Sequence, residues 1–316
     1  MTIKHVILSG GGIKGITMLG VMHYLSKRKI INFDCVSSIA GSSVGALIGS
    51  LISIGYSPYQ LYHEYKVMNF GSLLEPNISN LFKYYGLDTG YKLVAYIHKM
   101  FKGRGLNENI TFQQHFETTG IHLILTGTNV NLRKTEYFDY VHTPNTKVSD
   151  AIRISLSFPF YFTSPKFKEC YYVDGGVLDN FPIHLFHNAP SHEILAIKIK
   201  KVRDQTLSTS PVNIPQINDF ETWLYSLVCC FLEEIEYLKA TTNHTTYFHS
   251  TIFVEETEVA IMDLNISEER YEKLFQKGIE TAKEYINTFT SGYFKLRYER
   301  LPDHIKNRVC LLVQKT

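Results

Sequence analysis

A serine held between two glycines, in Gly41-Ser42-Ser43-Val44-Gly45, is the stretch of the chain best suited to chemistry. In a G-x-S-x-G elbow the backbone turns sharply from a strand into a helix, and the crowded positions beside the serine admit only glycine. Ser43 then stands alone at a helix N-terminus, where unpaired N–H groups favour the negative charge of an alkoxide-like nucleophile. The flanks agree: residues 35–40 read as a short buried strand and 44–54 as an apolar helix. On these residues alone the pentapeptide also suits a plain strand-to-helix packing turn.

A second glycine turn lies upstream. Residues 4–9 form an apolar run that ends in Gly10-Gly11-Gly12-Ile13-Lys14-Gly15, and residues 16–25 follow as a helix. Three chemistries compete for this loop. Gly10, Gly12 and Gly15 satisfy G-x-G-x-x-G, the nucleotide-binding fingerprint, but the acidic residue it requires should close the second strand and Asp34 precedes it. A phosphate-binding loop needs Ser or Thr after its lysine, and Lys14 is followed by Gly15. The third is an oxyanion hole, because consecutive glycines let backbone N–H groups converge with no side chain in the way. A glycine loop after the first strand and a serine elbow after the second both fall at the carboxyl ends of strands, where α/β folds build their sites.

The third stretch is Asp174-Gly175-Gly176, followed by Asn180-Phe181-Pro182. A strand over 171–174 delivers the aspartate, and two glycines turn the chain so tightly that the carboxylate stays at the strand end. Alone, such a triplet is an ordinary turn. Asp179, the nearest rival carboxylate, sits past it.

With these motifs the chain resembles the patatin-like phospholipase family. Gly10–Gly15 is similar to that family's oxyanion loop, Gly41–Gly45 to its nucleophile elbow, and Asp174-Gly175-Gly176 with Asn180 and Pro182 to its D-G-G and N-x-P. The resemblance implies that Ser43 is the nucleophile and that amides around Gly11 and Gly12, in a loop running from Gly10 through the basic position Lys14, hold the oxyanion. It also implies that Asp174 completes a Ser–Asp dyad, with Asn180 and Pro182 shaping the loop, and that the substrate is a phospholipid, lysophospholipid or other acyl ester. Ser155 and Ser157 stand where the family pattern is rich in alanine; lacking any elbow, they read as structural. Two further hypotheses compete with the dyad: a Ser-His-Asp esterase using His184, His187 or His192, and a nucleotide-binding protein using Gly10–Gly15. A lipid-binding module without catalysis is the third.

The elements that must position these residues follow from periodicity. A serine-capped helix starts at Ser57-Pro58; 71–86 reads as an aromatic, loop-rich stretch that could flank a substrate opening; 89–102 and 111–117 read as helices, the latter opened by a Thr111–Gln114 capping box. His98 and His115 lie on these helices with no second ligand at a useful spacing and read as interfacial. Residues 121–130 form a buried strand with a hairpin partner over 134–140, 149–162 a helix stopped by Pro159, and 193–199 another central strand. Residues 203–219 turn polar, as a mobile loop would. From Phe220 an apolar helix begins that carries Trp223 and serves either as core or as a lid meeting lipid. A late strand over 251–254 and a capped amphipathic helix over 267–289 complete the pattern. The expected architecture is a single three-layer α/β/α domain over 1–316 with a mostly parallel sheet.

Composition narrows the partners. A net charge of +2 gives no reason to expect nucleic acid, and the most basic run, 198–203, is followed at once by Asp204 and reads as a solvated strand end. Five scattered cysteines, with Cys229 and Cys230 adjacent, point to a reducing, cytoplasmic setting rather than a disulfide framework or a zinc site. No signal peptide, no spanning helix, no metal and no cofactor are expected, which leaves peripheral contact as the form any membrane association would take.

Overall fold

In the computed structural model, residues 2–68, 70–200, 217–218, 220–242, 250–256, 263 and 265–290 are described. In chain order the strands are β1 His5–Leu8, β2 Ser38–Gly41, β3 Gly86–Asp88, β4 His122–Asn129, β5 Lys134–Phe138, β6 Phe160–Phe162, β7 Lys166–Phe167, β8 Cys170–Asp174, β9 Ile194–Ile199 and β10 Thr251–Val254. The helices are α1 Gly15–Lys27, α2 Val44–Ser53, α3 Pro58–Met68, α4 Ile78–Tyr84, α5 Tyr91–Gly103, α6 Phe112–Thr119, α7 Val148–Ser155, α8 Phe220–Thr242 and α9 Glu268–Thr290.

The main sheet runs β10-β9-β1-β2-β4-β8-β7, with β5 also on β4. From β10 to β4 every pairing is parallel, whereas β5 and β8 run antiparallel to β4. The register explains how residues 131 positions apart come together. At Leu125, β4 pairs with both β2 and β5, and from Gly127 to Asn129 with both β5 and β8. Since a strand has two edges, β2 and β8 must lie on the same edge of β4. They point at each other, with Gly41 opposite Leu125 and Asp174 opposite Gly127. The serine elbow and the aspartate turn therefore meet head to head in line with the sheet.

Side-chain alternation sends Val6, Leu8, Ile39, Leu123 and Leu125 into a large core filled by helices, and Ile7, Ala40, Ile124, Ile194 and Ala196 to the opposite face. That second face is covered by Phe186 with Phe181, Ile183 and Leu185, around a short 3-10 turn at Ile183–Phe186, so the layer there is thin. Helix α2 is buried at every position, as its unbroken apolar sequence requires. Its two buried hydroxyls turn back on the helix, Ser50 donating to Ala46 O and Ser53 to Ser50 O, each at 2.7 Å. Helices α1 and α9 cross at Gly20 and Gly278: a Cβ on Gly20 would fall 2.1 Å from Phe275 O, and one on Gly278 2.0 Å from Thr17 O.

Three expectations shift. Residues 33–35 form a 3-10 turn capped by Asn32, and the strand begins only at Ser38. The stretch 71–86 is partly helical, because Asn77 caps α4 by accepting from Ser79 N. Helix α7 ends at Ser155, ahead of Pro159: Leu156 makes the last α-type bond to Ile152 O, and Ser157 tightens the turn by donating to Ile154 O. Apart from Ile217 and Asn218, the expected mobile loop lies outside the described residues, as do the Arg203 end of the basic run and the tail over 297–315.

Candidate active site

Ser43 is the N-cap of α2, with φ 52° and ψ −127°. A non-glycine residue in this region stores roughly 1–3 kcal/mol of strain and persists only when its surroundings hold it there. The glycines on either side supply that hold. A Cβ on Gly41 would come within 2.5 Å of Gly45 C and O, and one on Gly45 within 2.5 Å of Leu8 O and Ser9 O. Ser155, at the end of α7, adds a fixing contact: its hydroxyl accepts from Ser43 N at 3.0 Å.

Ser43 Oγ donates to Asp174 Oδ2 at 2.7 Å. The carboxylate is buried and closely held. Its Oδ1 accepts from Gly176 N at 2.7 Å, its own N–H donates to Ser157 O at 2.8 Å, and Thr128 Oγ1 donates to its carbonyl at 2.9 Å. Ser157 is in turn bolted by Arg153, a buried guanidinium that also donates to Thr89 O and to Thr163 O at 3.0 Å. Burial pulls the Arg153 pKa down to about 10, which leaves it charged at neutral pH.

The glycine loop abuts this pair. A Cβ on Gly10 would lie 3.0 Å from Ser43 Cβ and 2.3 Å from Asn180 Oδ1. The amides divide into two groups. Gly10 N is already engaged, donating to Asn180 O at 3.1 Å, so Gly10 provides clearance and not a donor. The N–H groups of Gly11, Gly12 and Val44 pair with no acceptor among the described residues. Lys14 also departs from expectation: its ammonium turns away to donate to Glu256 O at 2.7 Å. Burial lowers its pKa, opposed by Glu256, Glu233 and Cys229.

Gly175 and Gly176 form a 3-10 turn capped by Asp174, Asn180 also donates to Glu236 at 3.3 Å, and Pro182 caps the turn at Ile183–Phe186. Gly15 opens α1 against Val44. The histidine alternatives lie elsewhere. His184 Nε2 meets Tyr137 Oη at 3.1 Å, a hydroxyl that donates to Asp179 Oδ2; His187 bonds to the His184 carbonyl; and His192 lies in the turn before β9. The nucleotide reading fails on position, since Asp34 is exposed at the far end of β2 from the loop.

Two pockets meet here. One, of about 810 Å³ and open to solvent, is lined by Gly10–Gly12, Ser43, Asp174, Phe158 and Asn180, and closed on one side by Cys229, Leu232 and Glu233 of α8. The other, about 490 Å³, shares Gly12 and Leu156 with it and is lined by apolar groups including Ile13, Leu47, Leu73, Leu93 and Phe162.

The family model for patatin-like phospholipase matches residues 6–187. The chain belongs to that family. The patatin-like protein is thus a hydrolase. It is similar to a probable lipid hydrolase, 463L, of Invertebrate iridescent virus 6, 29% identical over 249 residues that cover 73% of this chain and 84% of the viral one. Lysophospholipase NTE1 of Lodderomyces elongisporus is 25% identical over 201 residues, 64% of this chain but 13% of that longer protein. Among solved structures, VipD from Legionella pneumophila shares the fold with a TM-score of 0.56 at 14% identity, over 91% of this chain and 67% of its own.

Sequence reasoning missed Arg153 and Val44, and it singled out Ser155 only as a structural serine, without its contact to Ser43. Ser155 and Arg153 show no local signature, because their partners are distant in sequence. Val44 was legible in principle, since the residue after the nucleophile commonly lends its amide.

Proposed function

We propose that the protein cleaves acyl esters of phospholipids or lysophospholipids through an acyl-enzyme on Ser43. The Ser43 Oγ to Asp174 Oδ2 hydrogen bond of 2.7 Å carries this reading. Asp174 Oδ2 takes the hydroxyl proton as Oγ attacks the carbonyl carbon, and the new oxyanion is held by the N–H groups of Gly11, Gly12 and Val44. Collapse expels the alcohol, which leaves with the proton from Asp174. Water then surrenders a proton to Asp174 and attacks the acyl-enzyme; the fatty acid departs and the proton returns to Ser43. Gly176 N–H fixes Oδ1, which keeps Oδ2 aimed at the serine.

The apolar pocket suits the acyl chain, since it opens beside the reacting carbon through Gly12 and Leu156 and offers no polar side chain. The headgroup then occupies the solvent-open pocket beneath α8. The same reading takes the chain as one domain in a reducing, cytoplasmic setting: α9, beyond the family match, is locked across α1, and Cys35, Cys170, Cys229 and Cys230 are in no disulfide.

Labelling with a fluorophosphonate probe tests the proposal. The intact chain should label at one site and release fatty acid from lysophosphatidylcholine, while Ser43→Ala abolishes both. Label that survives Ser43→Ala sinks it.

A further inference from the structure

Helix α8 has two faces that differ in what they meet. Inward, Tyr225 packs its ring on Phe158 with centroids 5.5 Å apart, Cys229, Leu232 and Glu233 line the pocket that holds Ser43, and Glu236 pairs with Lys198 at 2.8 Å. On the opposite side Phe220, Trp223, Leu227 and Phe231 form a stripe at helical spacing, and their exposures of 71%, 48%, 38% and 62% are unusual for residues of this kind. An apolar stripe of this continuity marks an interaction surface.

We propose that this stripe is the surface by which the enzyme adsorbs to a zwitterionic lipid layer, with α8 lying in the interface over the pocket it covers. The inference rests on the lipid-hydrolase reading above. Two features select the occupant. The stripe is the back of the helix whose front walls the substrate pocket, so adsorption holds that pocket within one helix width of the lipid. With a single lysine in its sequence, the helix also offers no basic cluster to attract anionic headgroups. Trp223 adds an amphipathic ring of the type that settles at headgroup level. No helix among the described residues is long and apolar enough to cross a membrane.

Trp223 is the sole tryptophan, so its emission reports on this helix alone. Adding phosphatidylcholine vesicles to the full chain should shift that emission to shorter wavelength, unaffected by high salt. The double variant Leu227→Ser, Phe231→Ser should bind the vesicles about 100-fold more weakly, since two large apolar side chains no longer leave water. It should keep its thermal stability and its turnover of a soluble butyrate ester. That last assay separates the two proposals: no butyrate hydrolysis by the intact chain defeats the hydrolase reading, whereas retained hydrolysis with no emission shift defeats the adsorption surface. A shift that needs anionic lipid and vanishes in salt overturns the proposal. So does a dimer in size-exclusion chromatography that the double variant abolishes, for the stripe would then be covered by a second copy.

Discussion

The two pockets that meet at Gly12 and Leu156 have opposite linings. One gathers a hydroxyl, a carboxylate and the unpaired amides of Gly11 and Gly12, while the other is lined by apolar side chains alone. The first is built at strand ends, where the backbone fixes each group through turns with glycine requirements. The second is built from the sides of α2 and α5, the turn at Phe70–Leu73 and strand β6. On the proposed reading, chemistry is thereby separated from recognition of the acyl chain, apart from the shared wall at Gly12 and Leu156.

The largest effect should come from the reacting pair. Ser43→Ala and Asp174→Asn should each lower kcat by about 10⁴-fold on any ester, long or short, as removal of a nucleophile or its base does elsewhere. Steady-state hydrolysis of butyrate and palmitate esters measures it; a loss confined to the palmitate ester would break the division between the pockets. Gly10→Ala comes next. Its methyl would intrude on Asn180 Oδ1 and press on Ser43 Cβ, and displacing the loop amides should cost about 10²-fold in kcat at nearly constant KM.

Filling the apolar pocket should act on one substrate only. Leu73→Trp is expected to lower kcat/KM for palmitate by about tenfold or more and to spare butyrate, because a few methylenes of lost burial are worth that much. Equal losses for both chain lengths would show that the acyl group lies elsewhere. His184→Ala should change either rate by less than about twofold, as an exposed residue away from the site does. Collapse of activity there would revive the histidine triad.

The smallest effect on turnover should come from His115, at the end of α2 remote from Ser43, where Ser53 Oγ meets its Nε2 at 2.8 Å. Burial pushes its pKa down to about 4. The unfolded chain binds a proton near pH 6.5 that the folded protein refuses, so this site's stability is complete above pH 6.5 and is lost as pH falls toward 4. The loss is about 3 kcal/mol. Urea denaturation at pH 7 and pH 4.5 should show it, and His115→Asn should shrink the difference between the two.

The same contrast governs what the sequence made legible. Ser43, Asp174 and the glycine loop stand in short motifs because their geometry is local: an elbow, a tight turn, a run without side chains. Lys14 misled for an instructive reason, since its motif position says nothing of Glu256, 242 residues away, whose carbonyl takes its ammonium. Gly10 lies against Ser43 as its motif suggests, but its amide is engaged by Asn180. Ser155 and Arg153 act across the fold and leave no local trace. The apolar pocket was illegible altogether, because Leu47, Leu93 and Phe162 are the same residues a packed core uses, and only their failure to fill the space distinguishes them. The helices at 91–103 and 112–119 were readable from period and cap, whereas α4 was obscured by the aromatics around it.

The crossing of α1 and α9 at Gly20 and Gly278 reaches further than helix packing. Helix α1 springs directly from the loop that carries Gly11 and Gly12, and the brace laid across it comes from the far end of the chain. A gene fragment trimmed to residues 6–187 would retain every signature by which the family is detected and lose the beam that keeps the first helix seated. The borders by which such an enzyme is recognised are narrower than the borders within which it can stand.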